Sequence, residues 1–211
     1  MSSTHNPIRH VAKRSVAVFA ACVAMAAGLA TYGLSAGAAT NAPAKGEPEP
    51  FTFALKASAG ITKCLPHARG QATITPTALN DVMKVTLWGM PANSDFDLFV
   101  IQLPTKPFGV SWYQSDIHAG ATGSGSATVR GIFDKETFSV SPGGTTTFAP
   151  THQFHLGVWF NNPALPFRLG CEPGKTAPVV TPFNGEQHAG IQVVNTAQFP
   201  ANAGPLSHVH R

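Results

Sequence analysis

From Phe51 onward the chain is a succession of short runs in which apolar and polar residues alternate, separated by clusters of Gly, Pro, Asn and Ser. Side chains on a strand point alternately to opposite faces, whereas a helix needs apolar residues three and four apart. "FTFALKA" sets Phe51, Phe53, Leu55 and Ala57 on one side. "QATITPT", "DVMKVTLWG", "DFDLFVIQL", "GVSWYQSDI", "SATVRGIF", "ETFSVS", "TTTFA", "FHLGVWFN" and "GIQVVNT" follow as further strand candidates, and no stretch among them carries a helical period. The intervening "GMPANS", "AGATGSG", "SPGG" and "NNPALP" hold the residues that tight turns require. With 20 Gly and 18 Pro in 211 residues, the pattern predicts an all-β, antiparallel fold. Several runs pass from alternating to doubly apolar, as central strands do when both faces are covered. The expected architecture is therefore a jelly-roll-like β-sandwich, one domain over residues 51–211.

What precedes it has a different character. "MSSTHNPIRHVAKRS" is basic, "VAVFAACVAMAAGLATYGL" is apolar, and "SAGAAT" presents Ala36 and Ala38 in the spacing a signal peptidase reads. Residues 1–38 are thus expected to be a signal peptide, with the mature chain starting near Ala39 and residues 39–50, rich in Pro and charge, forming a linker. The alternative is a retained anchor, since Val16 to Leu34 is about long enough to cross a bilayer. Cleavage removes Arg9, Lys13 and Arg14, so the overall charge of +4 falls towards neutrality and supplies no nucleic-acid footprint. It also removes Cys22. The two cysteines left, Cys64 and Cys171, are expected to pair in an oxidising compartment.

The run "DFDLFVIQ" places Asp95 and Asp97 on one strand face with Phe99 and Ile101, opposite Phe96, Leu98 and Val100. The second face turns apolar directly after Asp97, which sets both acids at a rim where the strand enters the core. Three roles are open to them. In the structural one, Asp95 caps the turn and Asp97 bonds backbone amides across the sheet. In the second, Asn93, Asp95 and Asp97 offer the oxygen ligands that calcium prefers. In the third they act as acid and base, which requires a cleft and one raised carboxyl pKa. "KVTLWGMPANSDFDLFVIQ", residues 84 to 102, resembles the core motif of bacterial pre-peptidase C-terminal domains. That resemblance implies a non-catalytic β-sandwich of the kind appended to secreted enzymes, some of which bind calcium or extracellular polymers, and it carries over Asp95 and Asp97 alone. The C-terminal half, with "FHLGVWFNNP" and "TPFNGEQHAGIQVVNTAQFP", is similar to uncharacterised secreted bacterial proteins.

Aromatic residues suggest a binding surface. Trp112 and Tyr113 must face opposite ways on their strand, and Trp88 and Trp159 oppose the apolar faces of theirs. Outward rings gathered with Asn161, Asn162, Asn184 and Gln187 would make a platform for a polysaccharide or envelope component; burial under loops is the alternative. Among the histidines, His152 and His155 lie three apart and so on opposite strand faces, while His208 and His210 could share a metal, with His188 a further ligand. The chain contains no G-x-S-x-G, H-E-x-x-H or phosphate-cradling loop. The expected function is non-catalytic extracellular binding. The competing expectation is a secreted hydrolase using Asp95 and Asp97 with His118 or His155.

Overall fold

Ten strands form where the alternation indicates them: β1 (Phe51–Ala57), β2 (Arg69–Thr75), β3 (Asp81–Trp88), β4 (Ser94–Ile101), β5 (Ser111–Ala119), β6 (Gly125–Gly131), β7 (Ser139–Val140), β8 (Thr146–Thr147), β9 (His155–Phe160) and β10 (Gln192–Asn195). The computed structural model describes residues 49–133, 139–140, 146–147, 154–183 and 186–209, all within one unit, Ala42–Arg211. The signal peptide expected over 1–38, most of the 39–50 linker, and His152, Asn184 and His210 lie outside the described residues. Among the described residues, helix is confined to α1 (Ala164–Arg168) and two short 3-10 turns.

Eight strands form one antiparallel sheet in the order β5-β4-β9-β10-β1-β2-β3-β6, and β7 pairs with β8. The two outermost strands of the large sheet, β5 and β6, are consecutive in the chain and joined by the turn 120–124. Every long strand contributes to one apolar layer. Phe53 and Leu55 of β1, Ala72 and Ile74 of β2, Met83, Val85 and Leu87 of β3, and Phe96, Leu98 and Val100 of β4 are all buried in it, with Leu156, Val158 and Phe160 of β9. Burial at about 25 cal/mol per Å² of apolar surface is what drives this alternation into a sheet with an inner face.

β4 and β9 differ from the rest because their outer faces are buried as well. A second apolar cluster, Phe99, Ile101, Trp159 and Ala189, is covered by Phe108 and Phe183 from the segments that follow β4 and precede β10. Trp159 meets Phe99, Phe108 and Phe183 edge to face with ring centroids 5.3, 4.9 and 5.0 Å away, the geometry the ring quadrupole favours. Gly157 makes room for it: a Cβ there would sit 2.4 Å from the indole ring. Trp159 is therefore buried, and the expectation that it faces a ligand is corrected; the loops that cover β4 and β9 close over it.

Cys64, just after the 3-10 turn Ile61–Lys63, is disulfide-bonded to Cys171, which follows α1, with a Cα separation of 5.1 Å. The bond spans 107 residues. In the chain-entropy account a loop of that size restricts the unfolded chain by about 4 to 5 kcal/mol. Replacing both cysteines by serine should lower the unfolding free energy measured in denaturant by about that amount, and an unchanged midpoint would remove the bond from the account. Gly157→Ala should cost about 1 to 3 kcal/mol through overpacking against Trp159 and red-shift the tryptophan emission; an unaltered spectrum with native stability would contradict the packing described.

Candidate functional site

The outer face of β4 and β5 carries the polar groups singled out by sequence, and the register decides which of them meet. Asp95 lies opposite His118, Asp97 opposite Asp116, and Phe99 opposite Tyr113. Between Leu98 and Phe99 the ladder shifts by one residue, so that Gln114 has no partner on β4. This bulge changes which side chains share a face. Tyr113 and Asp116, three apart in sequence, come to the same side, and the Tyr113 hydroxyl donates to Asp116 Oδ1 at 3.0 Å.

Asp95 and His118 form an open pair, Oδ1 to Nδ1 2.7 Å, with both side chains more than half exposed. Asp97 differs: it is fully buried, one position beyond the rim where the alternation had set it, because the Phe99–Trp159 cluster and its covering loops extend over it. Its Oδ1 accepts from Asn161 Nδ2 at 2.8 Å, so its partner is a side chain and not the backbone amides expected. Its Oδ2 has no hydrogen-bond donor, and the indole N–H of Trp159, directly opposite Asp97 on β9, has no acceptor among the described residues. Burial pushes the Asp97 carboxyl up to about 7; the Asn161 amide opposes this, and the negative charges of Glu186 and Asp116 add to it. Tyr113 is pushed up to about 12, first by burial and then by its bond to Asp116. Asn161 thus bonds Asp97, Asp97 faces Asp116 across the ladder, and Asp116 bonds Tyr113, with burial holding the Asp97 carboxyl up towards neutrality.

Of the histidines proposed for catalysis, His118 joins Asp95 and Asp97 on this face and His155 does not. His155 pairs with Ile101, four residues along β4 from Asp97, about 13 Å at the rise of a strand. It is buried, with Nδ1 2.9 Å from Thr196 Oγ1 and Nε2 3.2 Å from the carbonyls of Pro200 and Ala201. Burial lowers its pKa, so it ties β9 to the C-terminal segment as a neutral ring. His188 is exposed beside Glu186, and His208 rests 6.2 Å from the Phe51 ring. Asn93 takes a left-handed backbone conformation in the turn before β4, where it continues the strand's polar end towards solvent. No group of three His, Cys, Asp or Glu arranged to hold a metal occurs among the described residues.

The expected aromatic platform divides. Trp112 and Tyr113 are 44% and 42% exposed, on opposite faces of β5. Asn161 serves Asp97, Asn162 caps α1 through Ala164 N, and Gln187 donates to the Phe183 carbonyl. Trp88 belongs to a separate feature that reasoning from the sequence missed. Arg69 lies directly opposite it, with the guanidinium 5.8 Å from the ring centroid, a cation–π contact. The pair lines a groove of about 410 Å³ with Thr52, Ala54 and Gln71. Asp116, Glu186 and Arg69 carried no signal in sequence, since each gains its meaning only from a partner more than ten residues away. No protein-family model matches the chain, and no curated protein matches it.

The raised Asp97 pKa sets a sign for stability against pH. Below about pH 4 the carboxyl is protonated in both folded and unfolded chains, and burial costs no charge. Between about 4 and 7 the unfolded chain releases a proton that the folded one keeps, so stability falls by up to about 1.4 kcal/mol per pH unit, and above 7 the penalty is constant. His155 acts in the opposite sense, weakening the fold as pH drops through the ordinary histidine range. The Asp97 contribution is therefore read as a difference between proteins. Asp97→Asn keeps the acceptor for Asn161 without the charge, and should be more stable than the native chain by about 2 to 4 kcal/mol at pH 8 and nearly equal to it at pH 4. A variant weaker at both pH values would contradict the assignment.

Proposed function

We propose that this chain is a secreted, non-catalytic binding module of β-sandwich type, exported by residues 1–38 and acting on an extracellular polymer or at the cell envelope. The observation that carries the reading is the division of the outer surface. Asp97, whose carboxyl burial pushes up to about 7, is closed off from solvent, while β1, β2 and β3 present an open groove at Arg69 and Trp88. The Cys64–Cys171 bond suits an oxidising compartment. No helix among the described residues is long and apolar enough to cross a membrane. The resemblance of residues 84–102 to pre-peptidase C-terminal domains points the same way.

The second reading, a hydrolase, draws on the convergence of Asp95, Asp97 and His118 on one face. The two separate in one experiment. Protein recovered from the culture medium should begin near Ala39 and co-sediment with envelope or polysaccharide preparations without degrading them. Turnover of an ester, glycoside or peptide substrate that His118→Ala abolishes would establish the hydrolase, and an intact Met1 in a membrane-bound product would end the secreted reading.

A further inference from the structure

Register across β1, β2, β3 and β6 resolves their outward face into rows. Thr52, Thr73, Lys84 and Thr128 form one row, and Ala54, Gln71, Thr86 and Ser126 the next. Beyond these rows lie Lys56, Arg69 and Trp88 at one end, and Thr75, Val82 and Arg130 at the other. The face holds four cations and no carboxylate. Lys56, Arg69, Lys84 and Arg130 are all exposed. The acids Asp95, Asp97 and Asp116 belong to β4 and β5, outside these four strands, with β5 joined to β6 by the turn 120–124. A chain close to neutral after loss of its leader thus gathers four cations on one four-strand face.

We propose that this four-strand face binds an extended anionic polysaccharide, one bearing carboxylate or sulfate groups; this rests on the reading of the chain as an extracellular binding module and assigns its ligand class and surface. Lys84 and the Arg69–Trp88 row are four residues apart on β3, about 13 Å, so cationic positions flank a polar middle of Thr86, Gln71 and Ser126. Guanidinium and ammonium groups pair with the anions, Arg in a fork that fits a carboxylate. The hydroxyls and the Gln71 amide between them match sugar hydroxyls. Duplex DNA fits less well, because salt-dependent binding of that kind rests on about 6 to 10 phosphate contacts and this face offers the four cations Lys56, Arg69, Lys84 and Arg130. An anionic bilayer also fits less well: the rows carry no exposed large apolar side chain, and the exposed Leu79 and Ile132 lie singly outside them, in the β2–β3 turn and directly after β6.

The test is affinity of the purified protein for polygalacturonate, with dextran, phosphatidylglycerol vesicles and duplex DNA as competing probes. Polygalacturonate should bind, and binding should weaken steeply as salt rises. Charge removal in pairs, Lys56→Gln with Arg69→Gln and Lys84→Gln with Arg130→Gln, should each reduce affinity tenfold or more. Lys175→Gln, an exposed cation elsewhere, should leave it unchanged. All substituted side chains are exposed, so unfolding midpoints should stay native, and the salt dependence of the native protein reads the charge contribution without any variant. Dextran binding equal to that of polygalacturonate, or envelope retention indifferent to both pairs, would overturn this assignment and leave the binding-module reading standing. Preference for vesicles or DNA would overturn the ligand class, and retention of no polymer or envelope material would overturn both proposals.

Discussion

β4 runs between two apolar layers, with Phe96, Leu98 and Val100 in the main core and Phe99 and Ile101 under Trp159, Phe108 and Phe183. An antiparallel sheet with one wet face needs no second layer, so the loops after β4 and before β10 are held in place by what they cover. The segments are tied down accordingly. Leu103 N donates to the Phe108 carbonyl at 2.9 Å, Thr181 N to that of Ala189 at 2.7 Å, and Gln192 Nε2 to that of Pro104 at 3.2 Å. Asp97 is carried into this layer by its position two residues before Phe99. Its raised pKa, the orphaned Oδ2 and the dependence on Asn161 all follow from that placement.

The same covering divides the outer surface by chemistry. Over β4 and β9 it is apolar and closed; at the rim it becomes the exposed Asp95–His118 pair; over β1, β2, β3 and β6 it is open, hydroxylated and basic. A buried carboxyl at the edge of a dry cluster and a wet cationic face suit different tasks. The first couples stability to pH, and the second is the surface we propose for the anionic polymer. Neither requires the sheet to move.

Strand positions were legible because a period of two is written in single residues: β1, β3, β4 and β9 stand within a residue or two of "FTFALKA", "DVMKVTLWG", "DFDLFVIQL" and "FHLGVWFN". The pairing of Cys64 with Cys171 was legible by elimination once Cys22 was assigned to the leader. The site was less so. Asp95 and Asp97 could be placed on one face, yet the Asp97–Asp116 apposition depends on the β4–β5 register, which the segment 102–110 leaves open, and the Tyr113–Asp116 bond depends on a one-residue bulge at Gln114. Trp159 misled because an outward position on a strand means exposure only where nothing covers it. The basic face was hidden for the same reason as the Asp97–Asp116 pair. Lys56, Arg69, Lys84 and Arg130 are scattered singly through the sequence, which conceals their collection on one side.

The central claim is that the layer over β4 keeps Asp97 protonated into the neutral range. Titration of the side-chain carboxyl carbons by ¹³C NMR, with Asp97 assigned by comparison with the Asp97→Asn protein, measures it directly. The Asp97 resonance should move with a midpoint near pH 7, as its burial requires. A single Asp97 transition near pH 4 would show a carboxylate already ionised and solvated, and would contradict the burial described.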